Sequence, residues 1–165
     1  MRTIVLFTIL FFSVMQAHAQ GQQPTDKHFW YTLETQATPQ AIWQVWTDVA
    51  HWKDWDTGLK DATMEGPFEL NARGTITSLE GRKSKFTVVA IEQGQSYTYK
   101  TKLPLGSLYV KRYLKQEGGQ TIFTHEVWFA GLTKGLFAKA FGARFRGMLP
   151  GVLQNIKRIA EQPQD

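Results

Sequence analysis

Alternating hydrophobic and polar positions mark most of the predicted sheet. In HFWYTLETQ, Phe29, Tyr31 and Leu33 alternate with Trp30, Thr32 and Glu34. Aromatic and β-branched residues at a period of two predict a strand. Downstream, short segments of this kind are separated by Gly-, Pro- and Asn-containing turns. They cover residues 68–70, 74–79, 85–92, 96–103, 108–115 and 121–129. Short strands with tight connections predict an antiparallel meander.

Helical patterns flank these strands on both sides. Thr38 followed by proline is typical of a helix start, and a turn near Asp48 separates this helix from a second short one that ends near Trp55. Between residues 134 and 161, apolar side chains return every three or four positions, which predicts one long amphipathic helix. Pro150 predicts a kink over residues 146–150.

The order of these elements predicts an α+β fold. A curved antiparallel sheet of about seven strands wraps on the long C-terminal helix, with two short helices after the first strand. The sheet must bury one face, and the C-terminal helix is the large apolar partner available to it. A curved sheet gripping a helix leaves a gap unless side chains fill it, so a ligand cavity is predicted there.

The first residues have the pattern of a signal peptide. Arg2 precedes an apolar run over residues 4–15, and Ala17 and Ala19 are the small residues that a signal peptidase reads. The run is shorter than the roughly 20 residues that span a bilayer. We therefore expect a signal peptide over 1–19, cleaved before Gln20, and an exported protein, periplasmic or secreted. The rest divides into a flexible lead-in at 20–27, a domain at 28–161 and a tail at 162–165.

Composition and charge narrow the functional classes. With 165 residues the chain is long enough for one core, and its lack of cysteine excludes thiol nucleophiles, thiolate metal sites and redox pairs. The net charge of +5 allows peripheral contact with an anionic membrane surface. Export and the absence of a long basic run argue against nucleic acid as a partner. The sequence leaves the oligomeric state open.

Two polar residues fall in apolar rows of predicted strands. His125 shares its row with Phe123, and Arg112 shares one with Val110. A polar group inside an apolar face needs a partner, which a ligand can supply. His125 is the candidate acid or base, and Arg112 is the candidate for binding a carboxylate or phosphate head group. A register error of one residue would turn either side chain outward, so simple surface exposure is the alternative.

Large side chains on several elements are candidates for the cavity wall. The predicted ligand-binding residues are Trp46, Trp55, Tyr97, Tyr99, Arg112, Phe123, His125, Phe141, Phe145 and Leu149. Core packing is the alternative for most of the aromatic ones. Asp48, His51, Asp54 and Asp56 do not have the spacing of convergent ligands, so no metal site is predicted. No cofactor is expected, because phosphate-binding loop and dinucleotide fingerprints are missing from the sequence.

Several motifs together resemble those of a known superfamily. They are the pattern ATP..IW.VWTDV..W..WD, the Gly74-Thr75 pair before an apolar stretch, the segment EGGQTIFTHEV, and the terminal segment RGMLPGVLQNIKRIAE. Over residues 28–161 the chain resembles the polyketide cyclase/dehydrase and lipid-transport superfamily, also called SRPBCC. The resemblance implies the START-like helix-grip fold, in which the two short helices close one edge of the cavity. It does not imply one activity, because carriers, cyclases, hydrolases and hormone receptors share this shape.

Three functional hypotheses follow. The first is a binding or carrier protein for a small hydrophobic or lipid-like ligand outside the cytoplasm. The second is a cyclase/dehydrase-like enzyme acting on a cyclic or polyketide-type substrate, which requires an inward-pointing His125 or Arg112. The third is an interaction protein whose cavity is filled by its own side chains and whose basic surface meets a membrane or a partner. Whether the chain is an enzyme stays open, with the balance against it because no catalytic motif is present.

Overall fold

A computed structural model of the chain describes residues 24–162. The predicted signal peptide and its cleavage site, the start of the lead-in and the last three residues lie outside the described residues. Seven strands are present in this range. They are β1 (His28–Thr35), β2 (Leu59–Glu65), β3 (Arg73–Ser78), β4 (Lys83–Glu92), β5 (Ser96–Leu103), β6 (Gly106–Glu117) and β7 (Gln120–Gly131).

The strands form one antiparallel sheet in the order β1-β7-β6-β5-β4-β3-β2. From β2 to β7 each strand pairs with the next one along the chain, which confirms the predicted meander. The first strand closes the other edge: β1 pairs with β7 from His28 opposite Trp128 to Thr35 opposite Thr121. The edges of the sheet are therefore β1 and β2.

One predicted strand is wrong. Residues 68–70 lie in the connection before β3, and the strand that pairs with β3 is β2, with Leu59 opposite Ser78 and Glu65 opposite Arg73. This edge strand buries only Ala62, so its sequence LKDATME lacks the alternation that identified the other strands.

The two short helices after β1 are present as predicted. They are α1 (Pro39–Thr47) and a 3-10 helix (Val49–Asp54), with Asp48 between them. The side chain of Thr38 caps α1, since its hydroxyl accepts a hydrogen bond from the Ala41 amide at 3.2 Å.

The C-terminal helix has three consecutive parts. These are α2 (Lys134–Phe137), a π-helical turn (Ala138–Gly142) and α3 (Ala143–Ala160). The departure from α geometry thus lies before the predicted kink, and α3 continues through Pro150. At the π turn the helix comes very close to the chain that precedes β1: a Cβ atom on Gly142 would lie 2.1 Å from the carbonyl oxygen of Asp26. Only glycine fits this approach.

The lead-in is attached to the domain where it is described. Thr25 forms a bridge with His28, and the carbonyl of Lys27 accepts a hydrogen bond from the Phe129 amide at 3.0 Å. The described part of the predicted flexible segment therefore extends the pairing of β1 with β7. No helix within residues 24–162 has the length and apolar character needed to cross a membrane.

The core lies between the concave face of the sheet and the helices. The rows predicted from alternation face it, because His125 and its row neighbours Phe123 and Val127 are buried, as are Val110 and Arg112 on β6. The largest fully buried side chains include Trp46, Trp52 and Trp55, which come from α1, the 3-10 helix and the residue after it. The tryptophan-rich segment therefore supplies much of the core.

Candidate functional site

A cavity of about 380 Å³ lies between the concave face of the sheet and the C-terminal helix. Its wall is largely apolar on both sides. The sheet contributes Leu103, Leu108, Val110, Val127 and Phe129 among others, and the helix contributes Phe137, Phe141, Phe145, Met148, Leu149 and Val152. This is the gap that the predicted architecture required.

A stack of three phenylalanines forms the helix side of the cavity. The ring centroids of Phe137 and Phe141 are 6.3 Å apart, and those of Phe141 and Phe145 are 6.0 Å apart, with interplanar angles of 19° and 18°. This stacking shows that the three rings lie on one side of the helix. The π turn between Phe137 and Phe145 sets the direction in which the first ring points.

Polar groups are concentrated on the sheet side of the cavity. Asp56, Tyr99, Thr101 and His125 line it there. Asp56 follows the tryptophan-rich segment, and its Oδ1 accepts a hydrogen bond from the Gly58 amide at 3.0 Å, which fixes the carboxyl in a tight turn. His125 is buried, and its Nδ1 has no hydrogen-bond partner among the described residues.

Directly behind this polar wall, Arg112 is enclosed in an aromatic cage. The side chain is fully buried (0% exposed). Its guanidinium carbon lies 4.7 Å from the ring centroid of Trp52, 4.6 Å from that of Trp55, 5.5 Å from that of Tyr97 and 5.6 Å from that of Tyr99. These are cation–π distances, and the attraction is strongest where water is excluded.

One hydrogen-bond chain anchors the cage to α1. Arg112 donates through Nη1 to the Tyr97 hydroxyl, and that hydroxyl donates to the carbonyl of Trp46 at 3.2 Å. The Trp52 indole N–H donates to the same carbonyl at 2.9 Å. Within residues 24–162 no carboxylate lies within 4.0 Å of the Arg112 guanidinium, and its Nε and Nη2 have no hydrogen-bond partner there.

Burial controls the protonation of the groups around the cavity. It raises the pKa of the Asp56 carboxyl, and the positive charge of Arg112 offsets only part of this effect. Burial lowers the pKa of His125 well below its ordinary value, and Arg112 on the paired strand lowers it further. Burial also raises the pKa of Tyr97 to about 12. The imidazole facing the cavity is therefore neutral at neutral pH.

Half of the predicted ligand-binding residues line the cavity. These are Tyr99, His125, Phe141, Phe145 and Leu149. The other half, Trp46, Trp55, Tyr97, Arg112 and Phe123, are buried behind the wall, which differs from the sequence-based assignment. Trp46 belongs to α1, and Trp55 directly follows the 3-10 helix. The other three lie on the part of the concave face that contacts these two tryptophans. The guanidinium of Arg112 in particular contacts the rings of the aromatic cage, and Arg112 does not line the cavity.

Sequence reasoning did not place Asp56 in the site. It was considered only as a metal ligand, together with Asp48, His51 and Asp54. In the structure His51 is exposed and bonds to Asp48 at 2.7 Å, whereas Asp56 turns toward the cavity. No group of three or more potential ligands within residues 24–162 converges on a metal position. The Asp-Thr-Gly sequence at 56–58, typical of a tight turn, is the signal that separates Asp56 from its neighbours.

A curved seven-stranded antiparallel sheet that holds a long C-terminal helix over an internal cavity defines the helix-grip class of proteins. The model of the family described as polyketide cyclase/dehydrase and lipid transport matches residues 28–161, and the chain belongs to this family. No curated protein matches its sequence.

Solved structures agree on the fold at low sequence identity. A hypothetical protein from Helicobacter pylori has a TM-score of 0.70 at 10% identity, over 98% of this chain and 99% of that one. Norcoclaurine synthase from Thalictrum flavum, in complex with dopamine and hydroxybenzaldehyde, has a TM-score of 0.64 at 15% identity, over 84% and 89%. The di-domain ARO/CYC of the steffimycin biosynthetic pathway has a TM-score of 0.64 at 14% identity, over 81% and 50%. These likenesses concern the fold alone.

Proposed function

We propose that this protein is an extracytoplasmic binding or carrier protein for a small hydrophobic or lipid-like molecule. The observation that carries the proposal is the cavity of about 380 Å³ with apolar walls on the sheet and on the helix. Ligand pockets in proteins measure roughly 300–1,000 Å³ and combine apolar walls with a few polar groups. The third hypothesis from the sequence, a cavity filled by side chains, has no support in this geometry.

The polar groups of the cavity indicate what kind of polar group the ligand carries. Burial favours the uncharged form of both His125 and Asp56. A charged form of either residue in the cavity wall therefore costs free energy. Arg112 is withdrawn into its cage and does not reach the cavity. The inner part of the site therefore favours an uncharged hydrophobic molecule with a hydroxyl or carbonyl group. The charged residues of the wall, Glu80, Arg82 and Arg144, lie on the turn between β3 and β4 and on α3, where Glu80 and Arg144 form an ion pair at 3.4 Å.

The location outside the cytoplasm rests on the first 19 residues. Their charged start, apolar run and Ala17-His18-Ala19 ending follow the pattern of exported proteins. The molecular mass of the protein recovered from its host is the direct test: a chain that begins at Gln20 supports export, and one that keeps residues 1–19 contradicts it.

Ligand binding is tested first on the protein purified from its own host. Native mass spectrometry followed by denaturing extraction is expected to recover a neutral small molecule. A neutral fluorescent hydrophobe, N-phenyl-1-naphthylamine, then reports on the cavity in the emptied protein.

Matched variants on one strand connect that binding to the cavity. Val127→Phe fills the wall of the cavity from β7 and is expected to weaken binding of the fluorescent probe by about tenfold or more, because the added ring takes the volume that the probe needs. Ile122→Phe places the same ring on the opposite face of β7 and is expected to leave binding unchanged. Equal binding by both variants, with both folded, would rule out the cavity as the binding site.

A cyclase- or dehydrase-like enzyme is the second candidate function. The observation that favours it is that two groups able to transfer protons, Asp56 and His125, line the same cavity. Two structures of similar fold bear the names of a synthase and of an ARO/CYC protein. If this chain is an enzyme, His125→Gln and Asp56→Asn should abolish turnover while the extracted ligand still binds. Turnover that persists in both variants would exclude this assignment.

A further inference from the structure

Three leucines are exposed on two neighbouring turns of the sheet. Leu105, in the turn between β5 and β6, is 73% exposed. Leu132 and Leu136, at the junction of β7 and α2, are 89% and 67% exposed. Single exposed leucines are common in proteins, but three on adjoining segments form an apolar surface that has a cost in water.

The two turns are fastened to each other. The Leu132 amide donates to the carbonyl of Leu105 at 3.0 Å, and the Thr133 hydroxyl donates to the carbonyl of Pro104 at 2.6 Å. Leu105 itself has a φ of 53°, a left-handed conformation that favours glycine or asparagine over leucine. Hydrogen bonds therefore hold the two turns that carry the leucines. At position 105 a leucine occupies a turn conformation in which glycine or asparagine is more common.

This surface adjoins the cavity. Leu103, two residues before Leu105, lines the cavity, and so does Phe137, which follows Leu136. On the opposite side, the turn between β3 and β4 contributes Glu80 and Arg82 to the cavity wall and carries Leu79, which is 56% exposed. The leucines thus lie on turns that surround one end of the cavity.

Positive charge accompanies the leucines. Lys102 and Lys134 are exposed, and neither lies within 4.0 Å of a carboxylate in the described part of the chain. Residues 93–116 and 127–160 contain no Asp or Glu. Beside Lys134, a shallow depression of about 400 Å³ is also lined by Lys27, Lys111 and Glu126, and the carboxylate of Glu126 lies 2.6 Å from the ring of His28. The surroundings of the leucines are therefore cationic.

We propose that Leu105, Leu132 and Leu136, together with Lys102 and Lys134, form a docking surface for an anionic lipid bilayer. The leucines enter the region of the acyl chains, and the lysines contact lipid phosphates, the combination by which peripheral proteins bind membranes. The almost complete lack of acidic groups on these segments fits a negatively charged bilayer better than a mixed protein surface. Docking would turn the end of the cavity toward the membrane, although the surface itself does not depend on the ligand-binding function.

Vesicle sedimentation of the purified protein tests the docking surface. Vesicles of phosphatidylcholine and phosphatidylglycerol in equal parts are expected to bind the protein, and phosphatidylcholine vesicles to bind it more weakly. Raising the salt concentration should weaken binding, because it screens the lysines. The triple variant Leu105→Ser, Leu132→Ser, Leu136→Ser should lose about tenfold or more in affinity. Lys134→Glu should lose about fivefold or more.

Matched variants control for general changes of the surface. Leu70→Ser replaces a leucine that is 51% exposed in the connection between β2 and β3, at the other end of β3 from Leu79. Lys115→Glu reverses a charge at the end of β6 far from Leu105. Both should bind vesicles like the unaltered protein, and all variants should keep their affinity for the fluorescent hydrophobe, which separates this proposal from the preceding one.

Three results would overturn the proposal. The first is that the unaltered protein does not bind the anionic vesicles. The second is that the triple variant binds them as well as Leu70→Ser does. The third is a dimer of the unaltered protein that the triple variant dissociates, because the leucines would then be a contact between two copies of this chain. Lys134→Glu serves where the triple variant fails to fold.

Discussion

The two halves of the concave face differ in how they are covered. Under α1 and the 3-10 helix, three fully buried tryptophans and the caged Arg112 pack against it. Under the C-terminal helix, the same face borders a cavity of about 380 Å³. The difference arises from the covering elements. One brings three indole rings, of which that of Trp52 donates a hydrogen bond to the Trp46 carbonyl, and the other brings a row of stacked phenylalanines along a single helix. One half of the sheet's concave face therefore contributes to stability through close packing, and the other half provides the space in which a ligand can bind.

The largest expected effect lies in the packed half. Trp52 is stacked on Phe86 at 5.3 Å and on Tyr99 at 5.5 Å, and it also forms one side of the Arg112 cage. Trp52→Ala should lower the free energy of unfolding by about 3–5 kcal/mol, measured by urea denaturation. Phe141→Ala, on the cavity wall, should cost well under half as much, because its ring already borders empty space. Equal losses would mean that the two halves do not differ in packing.

A smaller effect on the free energy of unfolding, an increase and not a loss, is expected for Asp56, which lies where the two halves meet. Burial raises the pKa of Asp56 in the folded state above its unfolded value, so folding becomes less favourable as pH rises through this interval. Asp56→Asn keeps an oxygen for the Gly58 amide and removes the charge. It should therefore raise the free energy of unfolding at neutral pH, by about 1.4 kcal/mol for each unit by which the pKa is shifted. The gain should vanish near pH 3; a variant less stable than the parent at pH 7 would contradict the assignment.

The smallest effect concerns His125. Its folded pKa is lowered, so the unfolded state binds the proton first and stability is lost as pH falls below about 6.5. Denaturation curves at pH 7 and pH 5 should show this loss, up to about 1.4 kcal/mol per pH unit, and His125→Gln should reduce it. His51 is the control, because Asp48 raises its pKa and its contribution has the opposite sign. His51→Gln should not reduce the loss at low pH.

Most of the fold could be predicted because local patterns agreed with tertiary structure. The alternation on β7 and the Thr38-Pro39 cap are read directly from neighbouring residues. The edge strand β2 could not be found in this way, since an edge strand with one buried residue has no alternation. The resemblance to the family added the helix-grip arrangement, which the family match confirms.

The site could be predicted only in part. Alternation shows that Arg112 and His125 share the buried face, but it does not show which half of that face each one occupies. That depends on where α1 and the 3-10 helix pack, which is decided by contacts distant in sequence. Leu136 illustrates a second limit: it is one of the apolar residues that return at helical spacing, yet it is 67% exposed, because spacing alone does not show which apolar residues of a helix another element covers.

The π turn at Ala138–Gly142 gives the wall of the cavity one place that tolerates a change of chain length. A π turn holds one more residue than an α turn, and each residue of an α-helix corresponds to a rotation of about 100°. Deleting one residue there would restore an α turn, so α2 and α3 would keep their rotation relative to each other and Phe137 would stay on the side of Phe145. Deleting one residue from α3 before Leu149 would instead rotate Phe137 by about 100° relative to Leu149 and carry it off the cavity wall. The same loss of one residue is thus absorbed in one turn of this helix and disrupts the binding space in the next.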